Sequence, residues 1–248
     1  MEPLRFVDWT DAARAVIERA CESHGGERRW RQLELGLELR ALSGLIPRMK
    51  GAGKTFPMPG RVLIRPSIAT AIFQDYPTPG TRAHFDGGAI WLEDAGGRRH
   101  TGAANHRASF AGWQKWRRWE ALDALYFFGY AVTHYHALPF TLPEGRLVRH
   151  RAHPEGDILT IDLPSSLHTH CRRQTFHFDA EGLIRRHDYV ADIVGWWARG
   201  AHFWRDHVRV DGFPVARTRH VVARLGGLVT PVTALHAELA VVGTEPSR

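Results

Sequence analysis

Apolar and polar residues alternate along much of this chain. Leu33, Leu35, Leu37 and Leu39 alternate with Glu34, Gly36, Glu38 and Arg40, which predicts a strand with one buried and one wet face. Further strands are predicted over 61–65, 68–73, 82–85 and 89–92, separated by punctuation such as Pro79-Gly80 and Gly87-Gly88. A second series covers 146–151, 158–163, 173–178, 183–190, 202–210, 215–225 and 236–242. The segment Asp179-Ala180-Glu181-Gly182 reads as a hairpin loop. Asp211-Gly212, between β-branched and aromatic residues, reads as a two-residue hairpin turn. This spacing is that of an antiparallel meander, not of βαβ units.

Two segments break the alternation. Asp8 or Thr10 can cap a first helix, with Asp11 in its first turn; it runs through Ala12, Val16, Ile17 and Ala20 and stops at Gly25-Gly26. The second, 119–138, is apolar almost all round, so the fold must enclose it. Asp123, Phe127, Tyr130 and His134 share one face of that helix. The stretch 124–142 lacks Asp, Glu, Lys and Arg, but His134, His136, Pro139 and three tyrosines mark a buried helix rather than a membrane span.

The expected fold is therefore α+β and mostly β. A strongly curved antiparallel sheet, a half-barrel, wraps a central aromatic helix, with an N-terminal helix before it. No linker or repeat divides the chain, so one domain over 1–248 is expected. In its element order the chain resembles bacterial lipoprotein carriers of the LolA, LolB and LppX type; no residue motif is matched. That resemblance implies an apolar ligand held by a curved sheet under a helical lid.

Composition narrows the function only a little. The net charge is +7, but the basic residues are scattered and no nucleic-acid recognition motif accompanies them. Arginine far outnumbers lysine, which suggests a high-GC bacterial genome. Cys21 and Cys171 form neither a disulfide framework nor a C-x-x-C pair. Met1-Glu2-Pro3-Leu4 has no basic or apolar leader region, so no signal peptide and a cytoplasmic location are expected. The tail from Gly243 to Arg248 is expected to fray. Gly51-Ala52-Gly53-Lys54-Thr55 is not a phosphate loop, because Arg48 stands where a glycine is needed and Pro57 and Pro59 follow in place of a helix.

The candidate chemistry lies in histidines and tyrosines. His134, His170 and His187 are the proton-transfer candidates, with Tyr130 and Tyr189 as donors to an oxyanion. Asp123, Tyr126, Tyr130, Tyr189, His202 and Asp206 are the candidate ligand-binding groups. His202, Trp204, Asp206 and Val208 share the strand face taken as inward, with Arg217 or Arg219 as possible partners for Asp206. His168 and His170 flank Thr169 as a possible metal pair, but no third ligand is fixed, so no metal and no organic cofactor are expected. Trp113, Trp116 and Trp119 alternate with Lys115, Arg117 and Arg118, a pattern of either a packed helix start or a surface contact. Three readings remain. The first is a cofactor-free acid–base enzyme (isomerase, cyclase, lyase or hydrolase) acting on a small apolar or aromatic molecule. The second is a non-catalytic carrier of such a molecule or of a lipid. The third is a nucleic-acid or membrane-surface binder.

Overall fold

A computed structural model describes residue 6 and residues 8–243. Met1–Leu4 and the tail after Gly243 lie outside the described residues. The first helix forms where its signals place it. Thr10 caps α1 (Asp11–Ser23) by accepting from the Ala13 N–H, and Ala13, Val16, Ile17, Ala20 and Cys21 are its buried face. Two short helices follow that the hydrophobic pattern does not announce. In α2 (Glu27–Gln32), Trp30 stacks on Phe140 with ring centroids 4.8 Å apart. Its presence delays the first strand, β1, to Leu35–Ser43. α3 (Leu45–Lys50) ends at Gly51, whose φ of 97° suits glycine.

The next strands are β2 (Arg61–Arg65), β3 (Thr70–Gln74), β4 (Arg82–Asp86), β5 (Ala89–Glu93) and β6 (Arg99–Ala103). The chain then runs through α4 (Ala121–Ala137), the expected enclosed helix. It returns as β7 (Arg146–His153), β8 (Gly156–Asp162), β9 (Arg173–Asp179), β10 (Ile184–Val190), β11 (Arg199–Val210), β12 (Phe213–Leu225) and β13 (Leu228–Val242). Asp211 and Gly212 take φ of 49° and 85°, so the β11–β12 turn has the two positive φ values that match strand twist.

All thirteen strands form one antiparallel sheet in the order β6-β5-β4-β3-β2-β1-β13-β12-β11-β10-β9-β8-β7. The fold is the curved, unclosed half-barrel that the pattern predicts. Every pairing joins strands consecutive in sequence except one, β1 with β13, which runs from Gly36↔Val242 to Ser43↔His236. α4 connects the two edge strands, β6 and β7. Those edges are polar: Arg99, His100 and Thr101 on one, Arg146, Arg149, Arg151 and His153 on the other, all exposed. Charged edges discourage pairing with another chain.

Cross-strand partners define the inward face. Leu37, Val62, Phe73, Ala83 and Leu92 form one buried row across β1 to β5. Leu159, Phe176, His187, His202 and Val221, with half-buried Leu235, form another across β8 to β13. α4 lies against this face, over β2 to β5. The C-terminal end of α1 meets both hairpin turns: Gly182 packs on Ala20, and Arg209 donates to the Ser23 carbonyl at 3.2 Å. Cys21 and Cys171 are buried free thiols. No helix among the described residues is long and apolar enough to cross a membrane.

α4 comes close to β4 at Gly129, where an added Cβ would stand 2.5 Å from Phe85 Cβ and Cγ. Helix propensity alone favours Gly129→Ala by roughly 1 kcal/mol. Overpacking against a buried ring costs about 1–3 kcal/mol. Gly129→Ala is expected to lower the urea midpoint; a variant of equal or higher midpoint would show that α4 does not sit this close to β4.

Candidate functional site

The candidate histidines gather where α4 faces β9, β10 and the 164–172 connection. Gln174 organises part of this region. Its Nε2 donates to Thr169 Oγ1 at 2.7 Å and to the Cys171 carbonyl, which turns Oε1 toward His134 Nε2 (3.3 Å) and His187 Nε2. Both imidazoles must then carry their proton on Nε2. His187 is stacked on Phe176 at 4.6 Å. His170 is held between two phenols: Tyr130 Oη lies 3.0 Å from its Nδ1, and Tyr135 Oη meets its Nε2. Tyr189 stacks flat on His170 at 3.9 Å, and its hydroxyl reaches Tyr135 Oη at 3.3 Å. These rings largely satisfy one another. Burial holds the imidazoles neutral, pushing His134 down to about 4 and His170 and His187 well below the ordinary range. It pushes the Tyr135 phenol up to about 12.

The remaining sequence candidates scatter. Tyr126 is buried and its hydroxyl meets His168 Nδ1 at 2.8 Å. His168 and His170 thus engage different phenols, and no group of three His, Cys, Asp or Glu among the described residues could hold a metal ion. Asp123 sits in the first turn of α4. Its Oδ2 accepts from the Glu120 N–H at 2.9 Å, Arg117 pairs with it at 2.6 Å and His106 Nε2 lies 2.9 Å away. Burial opposes its charge, but these three partners hold its carboxyl below the usual carboxylate range. That is a helix cap. Asp206 does not face inward: its φ of 54° breaks the pleat, no pairing joins it to Arg217, and its exposed carboxylate accepts from Thr218 Oγ1. Arg219 lies opposite Trp204 instead.

A cavity of about 70 Å³ opens between α4 and the inward face of the sheet. Its walls are largely apolar and include Leu39, Val62, Phe73, Phe128, Val132 and Leu239. Five polar side chains reach it: Tyr135, His136, Tyr189, His202 and Arg219. A second space of about 50 Å³ adjoins it, sharing Phe127, Tyr189, Val221 and Leu235 and reaching Leu45, Trp197 and His170. The helix face that lines the first cavity is thus Phe127, Ala131 and Tyr135 with Phe128, Val132 and His136. Of the stripe singled out in the sequence only Phe127 lines it; Tyr130 and His134 turn toward His170 and Gln174. Sequence reasoning missed Tyr135 and His136, although two steps of four from Phe127 and Phe128, through Ala131 and Val132, could have found them.

The three tryptophans do not form one packed helical face. Trp119 is buried, whereas Trp113 and Trp116 are 88% and 58% exposed on a five-residue 3-10 turn. Trp116 stacks on Trp197, a wall of the second space, with centroids 6.1 Å apart.

No family model and no curated protein matches the chain. Among solved structures it is similar to a LolA superfamily protein from Nitrosomonas europaea, with 9% identity over 93% of this chain and 91% of that one and a TM-score of 0.48. It is also similar to a DUF1329 family protein from Desulfovibrio piger, with 13% identity over 94% and 92% of the two chains and a TM-score of 0.41. Both are likenesses of fold.

The buried imidazoles set a pH dependence. An unfolded histidine takes up a proton below about 6.5, while folded His24 and His134 resist until about 4. The unfolded state therefore binds more protons in this window, and stability falls as pH drops through it. Each such histidine contributes up to about 1.4 kcal/mol per pH unit. Urea midpoints measured from pH 8 to 4.5 should be flat above about 7 and fall steeply below about 6; a flat profile down to 4.5 would falsify the neutral, enclosed state of these rings.

Proposed function

We propose that this protein binds and carries a hydrophobic small molecule or lipid, held between the inward face of the sheet and α4, without altering it. The observation that carries this reading is the first cavity: its apolar walls come from both halves of the sheet and from the helix the sheet encloses. Both spaces are small. A ligand longer than a short hydrocarbon chain takes its room by moving Phe127, Tyr189, Val221 or Leu235, which stand between them. Cofactor-free acid–base catalysis by His134, His170 and His187 has less to stand on. Each of those rings is already hydrogen-bonded to a Gln or Tyr neighbour and held neutral by burial.

The reading is tested with N-phenyl-1-naphthylamine, a neutral apolar dye whose emission rises in dry surroundings. Saturable binding is expected. Ala131→Phe, which fills the cavity from the helix side, should weaken it by about tenfold or more, the equivalent of at least ~1.4 kcal/mol, with the far-ultraviolet circular dichroism unchanged. No saturable signal, or full affinity in a folded Ala131→Phe chain, ends this reading.

A second reading, contact with a membrane surface during loading or release, draws on Trp113, Trp116 and Trp196, which are 88%, 58% and 74% exposed. Amphipathic indole rings favour the lipid–water interface. Co-sedimentation with phosphatidylglycerol-containing vesicles should fall in a Trp113→Ala, Trp116→Ala double variant; equal sedimentation of variant and parent removes this contact.

A further inference from the structure

Most buried polar groups in this protein have partners; among the exceptions, which are spread over the molecule, Arg219 and His202 share the wall of the first cavity. Arg219 is 4% exposed, and its Nε and Nη1 make no hydrogen bond. It forms no ion pair with any described carboxylate. Its guanidinium lies 4.0 Å over the Trp204 ring and 5.3 Å from the centre of the Tyr135 ring. Three other buried or half-buried cations differ in this respect: Lys50 Nζ donates to the Lys115 and Arg117 carbonyls, and Arg186 and Arg224 pair with Asp188. His202 is 1% exposed, and neither ring nitrogen has a partner. The two residues are diagonal neighbours, since Arg219 stands opposite Trp204 and His202 opposite Val221 on the same pair of strands. Diagonal neighbours on one sheet face are within reach of long side chains. Both line the first cavity.

An unpaired buried guanidinium is expensive, because desolvation is not offset by any counter-charge. Burial lowers the Arg219 pKa only to about 10, so it stays charged near neutral pH. The cation therefore faces a largely apolar space with no anion supplied by the described residues. One guanidinium with no second cation on the walls matches a single negative charge. The neutral His202 ring adds one N–H. His136 adds none, since its Nδ1 is committed to the Val132 carbonyl.

The geometry points to a carboxylate-headed amphiphile as the ligand. Its head pairs with Arg219 and accepts from His202, and its hydrocarbon part lies along Leu39, Val62, Phe128 and Val132. This assignment rests on the carrier reading and names its ligand class. The indole under Arg219 fixes the plane of the guanidinium and leaves its edge for a bidentate carboxylate.

The test is calorimetric titration of the intact protein at pH 8 with octanoate and with 1-octanol, which share a chain and differ in head. Octanoate is expected to bind about tenfold or more tightly than octanol, as charged hydrogen bonds allow. Arg219→Met should abolish that preference while retaining octanol binding. Arg217→Met, at an exposed neighbour on the same strand, should keep it. Equal affinity of the parent for the two ligands overturns the head-group assignment and leaves the carrier reading standing. Binding of neither overturns both. A preference that survives Arg219→Met, or is lost equally in Arg217→Met, assigns it to the overall positive charge and overturns the proposal. Should Arg219→Met fail to fold, the parent ratio and the Arg217→Met control decide.

Discussion

The pairing of β1 with β13 is the contact on which the rest of this structure depends. Every other ladder joins strands that follow one another in sequence. Remove this one, and the sheet becomes two separate meanders, β1 to β6 and β7 to β13, joined only by α4. Neither could enclose the helix alone. The inward row of the first half, Leu37 through Leu92, meets one flank of α4; the second half brings His187, His202, Val221 and Leu235 to the other. The cavity lies at the seam, with walls from β1, β12 and β13 as well as from α4.

Two kinds of buried polarity coexist inside the sheet. The first is a closed society of neutral groups: Gln174 between His134 and His187, and His170 between Tyr130 and Tyr135. Apart from His187 Nδ1 their hydrogen bonds are made, so they fix the orientation of α4 against β9 and β10 at little electrostatic cost. The second kind is open. Arg219 and His202 retain unmet hydrogen-bonding capacity in a wall that is largely apolar. A scaffold gains nothing from leaving a charge in that state, whereas a binding site does.

Much of the architecture was legible because its signals are local. The strand at 61–65, the Asp211-Gly212 turn and the enclosed helix each rest on a few consecutive residues, and each forms where expected. What escaped depends on distant parts of the chain. β6, Arg-His-Thr-Gly-Ala, has no hydrophobic period, and β5 alone makes it a strand. α2 owes its place to Trp30 stacking on Phe140, more than a hundred residues away. Asp206 and Arg219 both fall at inward positions by count, but a positive φ at Asp206 turns the carboxylate out and leaves the arginine in. The site was legible in part for the same reason. The period of α4 shows that its faces differ, but not which face the sheet leaves uncovered.

The strand order also has a history in time. The hairpins of each half can form from neighbours in sequence, whereas joining β1 to β13 closes a loop of about 200 residues. Contacts between such distant segments form slowly and late. The seam between the half-sheets is therefore the part of the fold that costs the most chain entropy to close. Because the cavity straddles that seam, a molecule bound in it under the carrier reading would hold together the junction with the longest-range contacts. Under the carrier reading, occupancy and assembly would be linked: a ligand that binds only the joined sheet would act as a rivet, and its departure would loosen the sheet where the two halves meet.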